Sequence, residues 1–405
     1  MKLKCYNSKR RSTRNKSTLF FNRKGSSLLV MAGVALVLSG CGTKKYAMYS
    51  PEESNLQSLN RITDNEDNKF NSPFGGDDGK DLFYSVLDKK GSINIYHKSN
   101  PISNAMSPKT NGRNVNLNPT YSAVIKQIAY SGRQDGAFVN DIFMMDVEQG
   151  VAIRRLTNTP NEIETHPCLS YDGKTIVYEK CYVDGRMKDI QIWRQDLQTE
   201  SPTLLCQGLN PSFSHDGKNI VFVRFTPDGN NTCLVVMDVY GQNQTELTDA
   251  KMGLVENPRF SPDDKQIVFQ CNKKDKRDID LYVINRDGTG LTQLTFNKSY
   301  DAQPYWANDG FIYFSSDRGG KANNFQIWRF KYGNGSTNYK RFTPANSSTN
   351  VAPSSDQDIY HEVKTGETIT QIAQRYGITV RDLVKLNGLQ SMTLTQGMKL
   401  KINSK

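Results

Sequence analysis

Asn210-Pro-Ser-Phe-Ser-His-Asp-Gly-Lys-Asn-Ile-Val-Phe-Val223 reads as strand, tight turn, strand. Asp216-Gly217 supplies the positive φ angles that a two-residue hairpin requires. A third apolar stretch follows at Cys233–Asp238 and a fourth near Glu246-Leu247-Thr248, so four short strands fit into one unit. The unit recurs. A polar residue followed by proline opens copies at Ser72, Asn118, His166, Asn210, Asn257 and Gln303, spaced 44 to 48 residues apart.

One four-stranded sheet of this size cannot bury both faces, so the copies must stack, and radial arrangement protects their edges. No helical periodicity separates them. The expectation is a mainly β chain with a six-bladed β-propeller of four-stranded blades over residues 59–344. Arg61-Ile62-Thr63 matches Arg155-Leu156-Thr157, Gln293-Leu294-Thr295 and Arg341-Phe342-Thr343. An outer strand from one end of the chain is therefore expected to complete a blade begun by the other end. With these Leu-Thr strands, Pro211-Ser-Phe-Ser-His-Asp-Gly-Lys218 and Pro258-Arg-Phe-Ser-Pro-Asp-Asp-Lys265 resemble TolB-type propeller repeats. The second copy departs from them, with Ser122-Ala-Val-Ile-Lys126 in place of the Asp-Gly turn, and the first is irregular after Tyr96. TolB also carries an α/β domain ahead of its propeller, for which residues 42–70 are too few. The resemblance thus implies a fold, and one propeller scaffold serves many functions.

The chain begins with nine Lys or Arg and no acid between Met1 and Lys24, then an apolar run from Ser26 to Leu38 that leads to Gly40-Cys41. Basic, apolar, then small is the order of a secretory leader, here residues 1–40. The run is shorter than the roughly 20 residues of a membrane-spanning helix. The small residues before Cys41 resemble the bacterial lipobox, which implies diacylglyceryl modification of Cys41 and residues 41–58 as a lipidated linker. Without the leader the formal +11 falls to about +2, which removes the charge argument for nucleic acid. Five cysteines remain, Cys168, Cys181, Cys206, Cys233 and Cys271, an odd number without framework spacing, and burial as small apolar residues is expected.

Residues 345–358 are small and polar and read as a linker. Beyond them, residues 359–405 read as strand, helix, helix, strand, with Thr368 and Gln371 as a capping box and Ile369, Ile372 and Ala373 at helical spacing. His361-Glu-Val-Lys-Thr-Gly-Glu-Thr-Ile369, Ile372-Ala-Gln-Arg-Tyr-Gly377, Leu386-Asn-Gly-Leu389 and Gly397-Met-Lys-Leu-Lys-Ile402 closely resemble a LysM domain. The resemblance implies binding of peptidoglycan or another N-acetylglucosamine-containing glycan by two loops. By position these are Gly366, Glu367, Thr368 and Ile369, then Gly388, Leu389, Gln390 and Ser391. Glu367 stands where the family usually has Asp.

His97, His166 and His215 fall at unlike positions of their copies, and no nucleophile elbow or phosphate loop is present. No catalytic residue, metal or cofactor is expected, and the chain is read as a binding protein. The six residues before the prolines, Ser72, Asn118, His166, Asn210, Asn257 and Gln303, are all polar and would gather at one mouth of the propeller, with Glu164, Glu256 and Asp301 near them. They would either cap their own strands or present a rim to an envelope protein partner. The resulting expectation is an envelope lipoprotein that tethers membrane to cell wall. Gly42 after the lipid cysteine implies the outer membrane, facing the periplasm. The alternative is a glycan-binding or glycan-lyase propeller brought to the wall by the LysM module.

Overall fold

The computed structural model describes residues 46–48, 50–53, 56–64, 69–75, 80–133, 137–148, 154–275, 278–332, 360–364, 367–375, 380–389 and 394–402. Cys41, Gly366, Gln390, Ser391, Arg341-Phe342-Thr343 and the linker 345–358 lie outside them. The chain divides into two compact units, Met1–Phe342 and Thr343–Lys405.

The first unit is made of four-stranded antiparallel sheets of the kind that builds a propeller. The quoted segment gives Leu209–Phe213 and Asn219–Phe225, followed by Thr232–Asp238 and Thr245–Glu246. Its turn differs from the two-residue hairpin expected. Gly217 N–H donates to Ser214 O at 3.0 Å, and only Gly217 is left-handed, at φ 68°. The reason is Asp216, whose Oδ1 accepts from Ser214 Oγ (2.7 Å) and Lys218 N (3.0 Å), a local bond that satisfies the wider loop. In the fifth copy Asp264 takes the left-handed position at φ 58°. In the second copy, where the Asp-Gly pair is missing, Lys126 does so at φ 53°.

Five further sets repeat this pattern. The first two, opening at Lys69–Gly75 and Val115–Ser122, are joined through a parallel contact between Ile93 and Val115. The last set, Asp301–Trp306, Phe311–Ser316 and Gln326–Lys331, is completed by Gln57–Arg61 from the start of the chain, as the sequence match had indicated. The threonine of the recurring Leu-Thr motif fastens the outer strand. Thr157, Thr248, Thr295 and Thr63 each accept, through Oγ1 at 2.9 Å, an N–H from the third strand of their set.

Apolar clusters lie between consecutive sheets. Phe83 and Ile95 of the first meet Ile128 and Tyr130 of the second, and Val268 and Val283 of the fifth meet Trp306 and Phe314 of the sixth. Phe70, Phe74 and Tyr84 of the first sheet pack with Tyr305 and Tyr313 of the sixth, the Phe74 and Tyr305 rings lying 4.4 Å apart. Burial of aromatic and β-branched faces at roughly 25 cal/mol per Å² is what holds sheet to sheet. Cys168, Cys181, Cys233 and Cys271 are buried free thiols, and Cys206 is half-buried.

Residues 46–48 and 50–53 are bonded to the segments that flank the strands of the sixth sheet. Tyr46 N–H donates to Gly320 O (3.1 Å) and Gly319 N–H to Ala47 O (3.1 Å). Glu53 then receives Arg318 through Nη1 at 3.1 Å and Nη2 at 3.0 Å, and Phe296 N at 3.0 Å. Arg318 also bonds Asp301. This corrects the placement of Asp301 near the rim, because its carboxyl is spent in the buried Arg318 cluster.

In the second unit, Tyr360–Glu362 pairs antiparallel with Lys399–Lys401. Helices Ile369–Arg375 and Val380–Leu386 lie between them in sequence, and Ile372, Leu383 and Leu400 form the core.

Candidate functional site

The six residues before the prolines share one backbone state. Ser72, Asn118, His166, Asn210, Asn257 and Gln303 have φ between 46° and 53°. Proline disfavours the helical region for its predecessor, and the left-handed region is costly for any residue with a Cβ. Each also sits where the ladder to the second strand slips register, a β-bulge. Left-handed non-glycine residues cost on the order of 1–3 kcal/mol each and need surroundings that enforce them.

The surroundings are the neighbouring sheets. The bulge frees an N–H, and the preceding sheet answers it. Ser72 N donates to Gln303 Oε1 (3.0 Å), Asn257 N to Asn210 Oδ1 (3.1 Å) and Gln303 N to Gln270 Oε1 (2.6 Å). Asn210 N and Nδ2 both donate to Glu179 Oε1. Asn118 Nδ2 reaches Ser72 Oγ at 3.3 Å. Ser72, Asn118, Asn210, Asn257 and Gln303 thus take part in bonds from sheet to sheet around a polar ring, whereas His166 bonds Glu179 of its own sheet, and Asn257 and Gln303 also bond Gln270 and Ser315 within theirs.

Glu179 and Gln270 were not among the expected residues. They lie on second strands opposite the bulges, pairing with Thr165 and Glu256. A signal was available, since Ile176-Val-Tyr-Glu179 and Ile267-Val-Phe-Gln270 end in a polar residue where Ile220-Val-Phe-Val223 stays apolar. Glu179 faces His166, whose Nδ1 is 2.9 Å from Oε2, and accepts from Thr165 Oγ1 at 2.9 Å. Burial opposes ionisation of Glu179, but the imidazole and the bonds from Asn210 and Thr165 outweigh it and hold the carboxyl below its usual range. Glu256 keeps some accessible surface, yet protein encloses it, and burial raises its carboxyl against the opposing effects of Gln270 and His166. Glu164 is fully buried beside Thr159 and Lys180, and burial pushes it up to about 7. Five buried side-chain atoms of the first three sheets have no hydrogen-bond partner among the described residues: Ser85 Oγ, Asn118 Oδ1, Glu164 Oε2, His166 Nε2 and Arg194 Nε.

His97 and His215 stand apart from this ring, beside Asp81 (2.6 Å) and Asp264 (3.1 Å). Among the described residues no three His, Cys, Asp or Glu side chains converge as metal ligands.

In the second unit the expected glycan loops divide by role. Glu367 Oε2 accepts from Lys364 N (2.8 Å) and lies 2.8 Å from His361 Nε2, which ties Glu367 to the first strand. Thr368 is exposed and forms the expected capping box with Gln371. Ile369 is buried in the core, so only its backbone is offered outward. Gly388 is exposed and left-handed at φ 58°, and Leu389 is half-buried against the core.

Residues 186–397 match the family model of the TolB beta propeller domain, a little over half of the chain. No curated protein matches the sequence. Similar solved structures include a protein assigned as TolB from Agrobacterium tumefaciens, with 18% identity over 65% of this chain and 90% of that one and a TM-score of 0.47. TolB from Acinetobacter baumannii shares 16% identity over 65% of this chain and 64% of its own length, with a TM-score of 0.43. An oligogalacturonate lyase from Vibrio parahaemolyticus shares 12% identity over 72% and 97%, with a TM-score of 0.48.

Proposed function

The chain belongs to the TolB β-propeller domain family, and from that premise we propose that it is a cell-envelope lipoprotein whose six-bladed propeller serves as a protein-interaction scaffold between membrane and wall. The observation that carries the reading is the attachment of Tyr46, Ala47 and Glu53 to Arg318, Gly319 and Gly320 beside the sixth sheet. An acyl group on Cys41 would stand only five residues ahead of Tyr46, a reach of at most about 18 Å. The propeller would then ride close against the membrane, and its polar ring would be presented in a fixed attitude.

The second unit is read as a LysM domain that binds peptidoglycan, supported by its strand-helix-helix-strand order and the quoted segments. Exposed Thr368 and the backbone of Gly388 suit a ligand of acetamido groups, which need backbone donors and acceptors more than charge. Weak glycan affinity would suffice, because anchoring at the other end raises the local concentration to roughly millimolar. The chain is proposed to bind without turnover.

Purified protein is to be pelleted with murein sacculi, with and without residues 359–405, and its fatty acids released and measured. Retention that depends on those residues, with acyl chains lost on Cys41→Ser, is the expected result. Unretained protein, or acylation that survives Cys41→Ser, refutes the tether.

A further inference from the structure

The strand order of the sheets fixes which loops share a face. Antiparallel strands reverse direction at every step, so the loops between second and third strands emerge on one side, together with the links from each fourth strand to the next sheet. The first-to-second and third-to-fourth turns lie on the other side. Gly319 and Gly320 belong to the second-to-third loop of the sixth sheet, between Phe311–Ser316 and Gln326–Lys331, and they bond Ala47 and Tyr46. Residues 46–48 are therefore held on the first side.

That side carries exposed apolar side chains. Phe138, between the second and third strands of the second sheet, is 87% exposed, and Tyr182, at the equivalent place in the third sheet, is 65% exposed. Val183 stands beside Tyr182, Leu254 in the link from the fourth sheet to the fifth, and Met48 against Gly319. These tips stand on different sheets. A protein partner needs a closely packed apolar core, whereas the interface of a bilayer takes in apolar tips wherever they reach its plane, and it favours aromatic rings. Exposed Lys89, Lys90, Lys188, Lys251, Lys298 and Lys321 lie on the same side and suit headgroup phosphates. Exposed Asp64, Asp184, Asp228 and Asp249 are there too, but Asp228 and Asp249 are bonded within their own turns. Ile102, Met106 and Leu291 are exposed on the opposite side, after third strands, so the end of the chain decides between the two faces. Cys41 is five residues from Tyr46, a reach of at most about 18 Å. We propose that the first face rests on the bilayer that holds the acylated Cys41, with Phe138, Tyr182, Val183 and Leu254 set into its interface. The inference rests on the lipoprotein reading, which supplies that bilayer.

The test follows the full chain by tryptophan fluorescence after flotation with vesicles of phosphatidylethanolamine and phosphatidylglycerol whose acyl chains are brominated. Phe138→Trp and Tyr182→Trp should each lose about half of the added emission to the bromines. Ile102→Trp, at a position 70% exposed on the opposite face, should lose none. Phe138→Asp combined with Tyr182→Asp should lift the face and reduce the quenching at Leu254→Trp by about half. Quenching at Phe138→Trp and Tyr182→Trp no stronger than at Ile102→Trp overturns the proposal, as does quenching at Leu254→Trp that survives both aspartates. Shielding of Phe138→Trp in native membranes, with none in pure lipid, assigns the face to a protein partner and overturns it equally. Fatty acids released from the same sample read the anchor. Acyl chains without quenching fail the face alone, quenching without acyl chains fails the tether alone, and protein that does not float fails both.

Discussion

Replacing Arg318 with Met should release the start of the chain from the propeller. Arg318 is 1% exposed, Glu53 4% and Asp301 not at all, so the substitution leaves two carboxyls in a dry site with their shared cation gone. Removing one partner of a buried ion pair costs about 3–5 kcal/mol, and the loss of two bonds to Glu53 together with two to Asp301 places this case at the upper end. The variant should also acquire a pH dependence. With Arg318 absent, its charge no longer offsets the burial that already holds the Asp301 carboxyl above its usual value. Its protonated form is then the tolerated one, so the variant's stability is fullest below the unfolded carboxylate range and is lost as pH rises through the raised Asp301 value. Each unit of lift adds about 1.4 kcal/mol to the deficit at neutral pH, and the deficit should narrow towards pH 5. Urea denaturation followed by tryptophan fluorescence reads this well, since the Trp328 ring lies 5.7 Å from the Arg318 guanidinium. Hydrogen exchange at Tyr46 and Gly319 should accelerate at the same time, because their amides bond across the released segment. A variant within 1 kcal/mol of the parent at pH 7.5, with those two amides still protected, would refute the reasoning.

Glu179→Gln should cost about 2–3 kcal/mol at neutral pH. Because the folded state holds this carboxyl low, its contribution is present above the unfolded range and disappears as pH falls through the folded value, so parent and variant should converge below about pH 4. Asn257→Ala should destabilise more than Asn257→Gly, by about 1 kcal/mol, since both lose the bond to Gln270 but only alanine is strained at φ 51°, and thermal denaturation at matched pH ranks the two. Gly208→Ala should cost about 1–3 kcal/mol, as its new methyl would stand 2.6 Å from Phe222 and 2.9 Å from Val223 O, and an unchanged calorimetric midpoint would exclude that close approach. Thr368→Ala should lower the stability of the second unit by about 1 kcal/mol through loss of the capping box, measured by amide exchange in Ile369–Arg375.

The period and strand chemistry of this chain are local, so sequence alone determined the four-strand unit, its six openings, the outer strand supplied from Arg61-Ile62-Thr63 and the strand-helix-helix-strand order of the last residues. It also singled out the six residues before the prolines, because a polar residue recurring ahead of proline in apolar strands is visible without coordinates. What those residues do was settled only by tertiary structure. Their left-handed φ is imposed by bonds to side chains far away in the chain, as with Ser72 and Gln303, 231 positions apart. Glu179 and Gln270 became part of the ring because a bulge on the neighbouring strand turned an N–H towards them. Asp301 left the rim for Arg318, and Glu53 joined them from 265 residues earlier. A side chain's polarity is written in its own position, whereas the partner that satisfies it depends on which distant segment the fold brings within 3 Å.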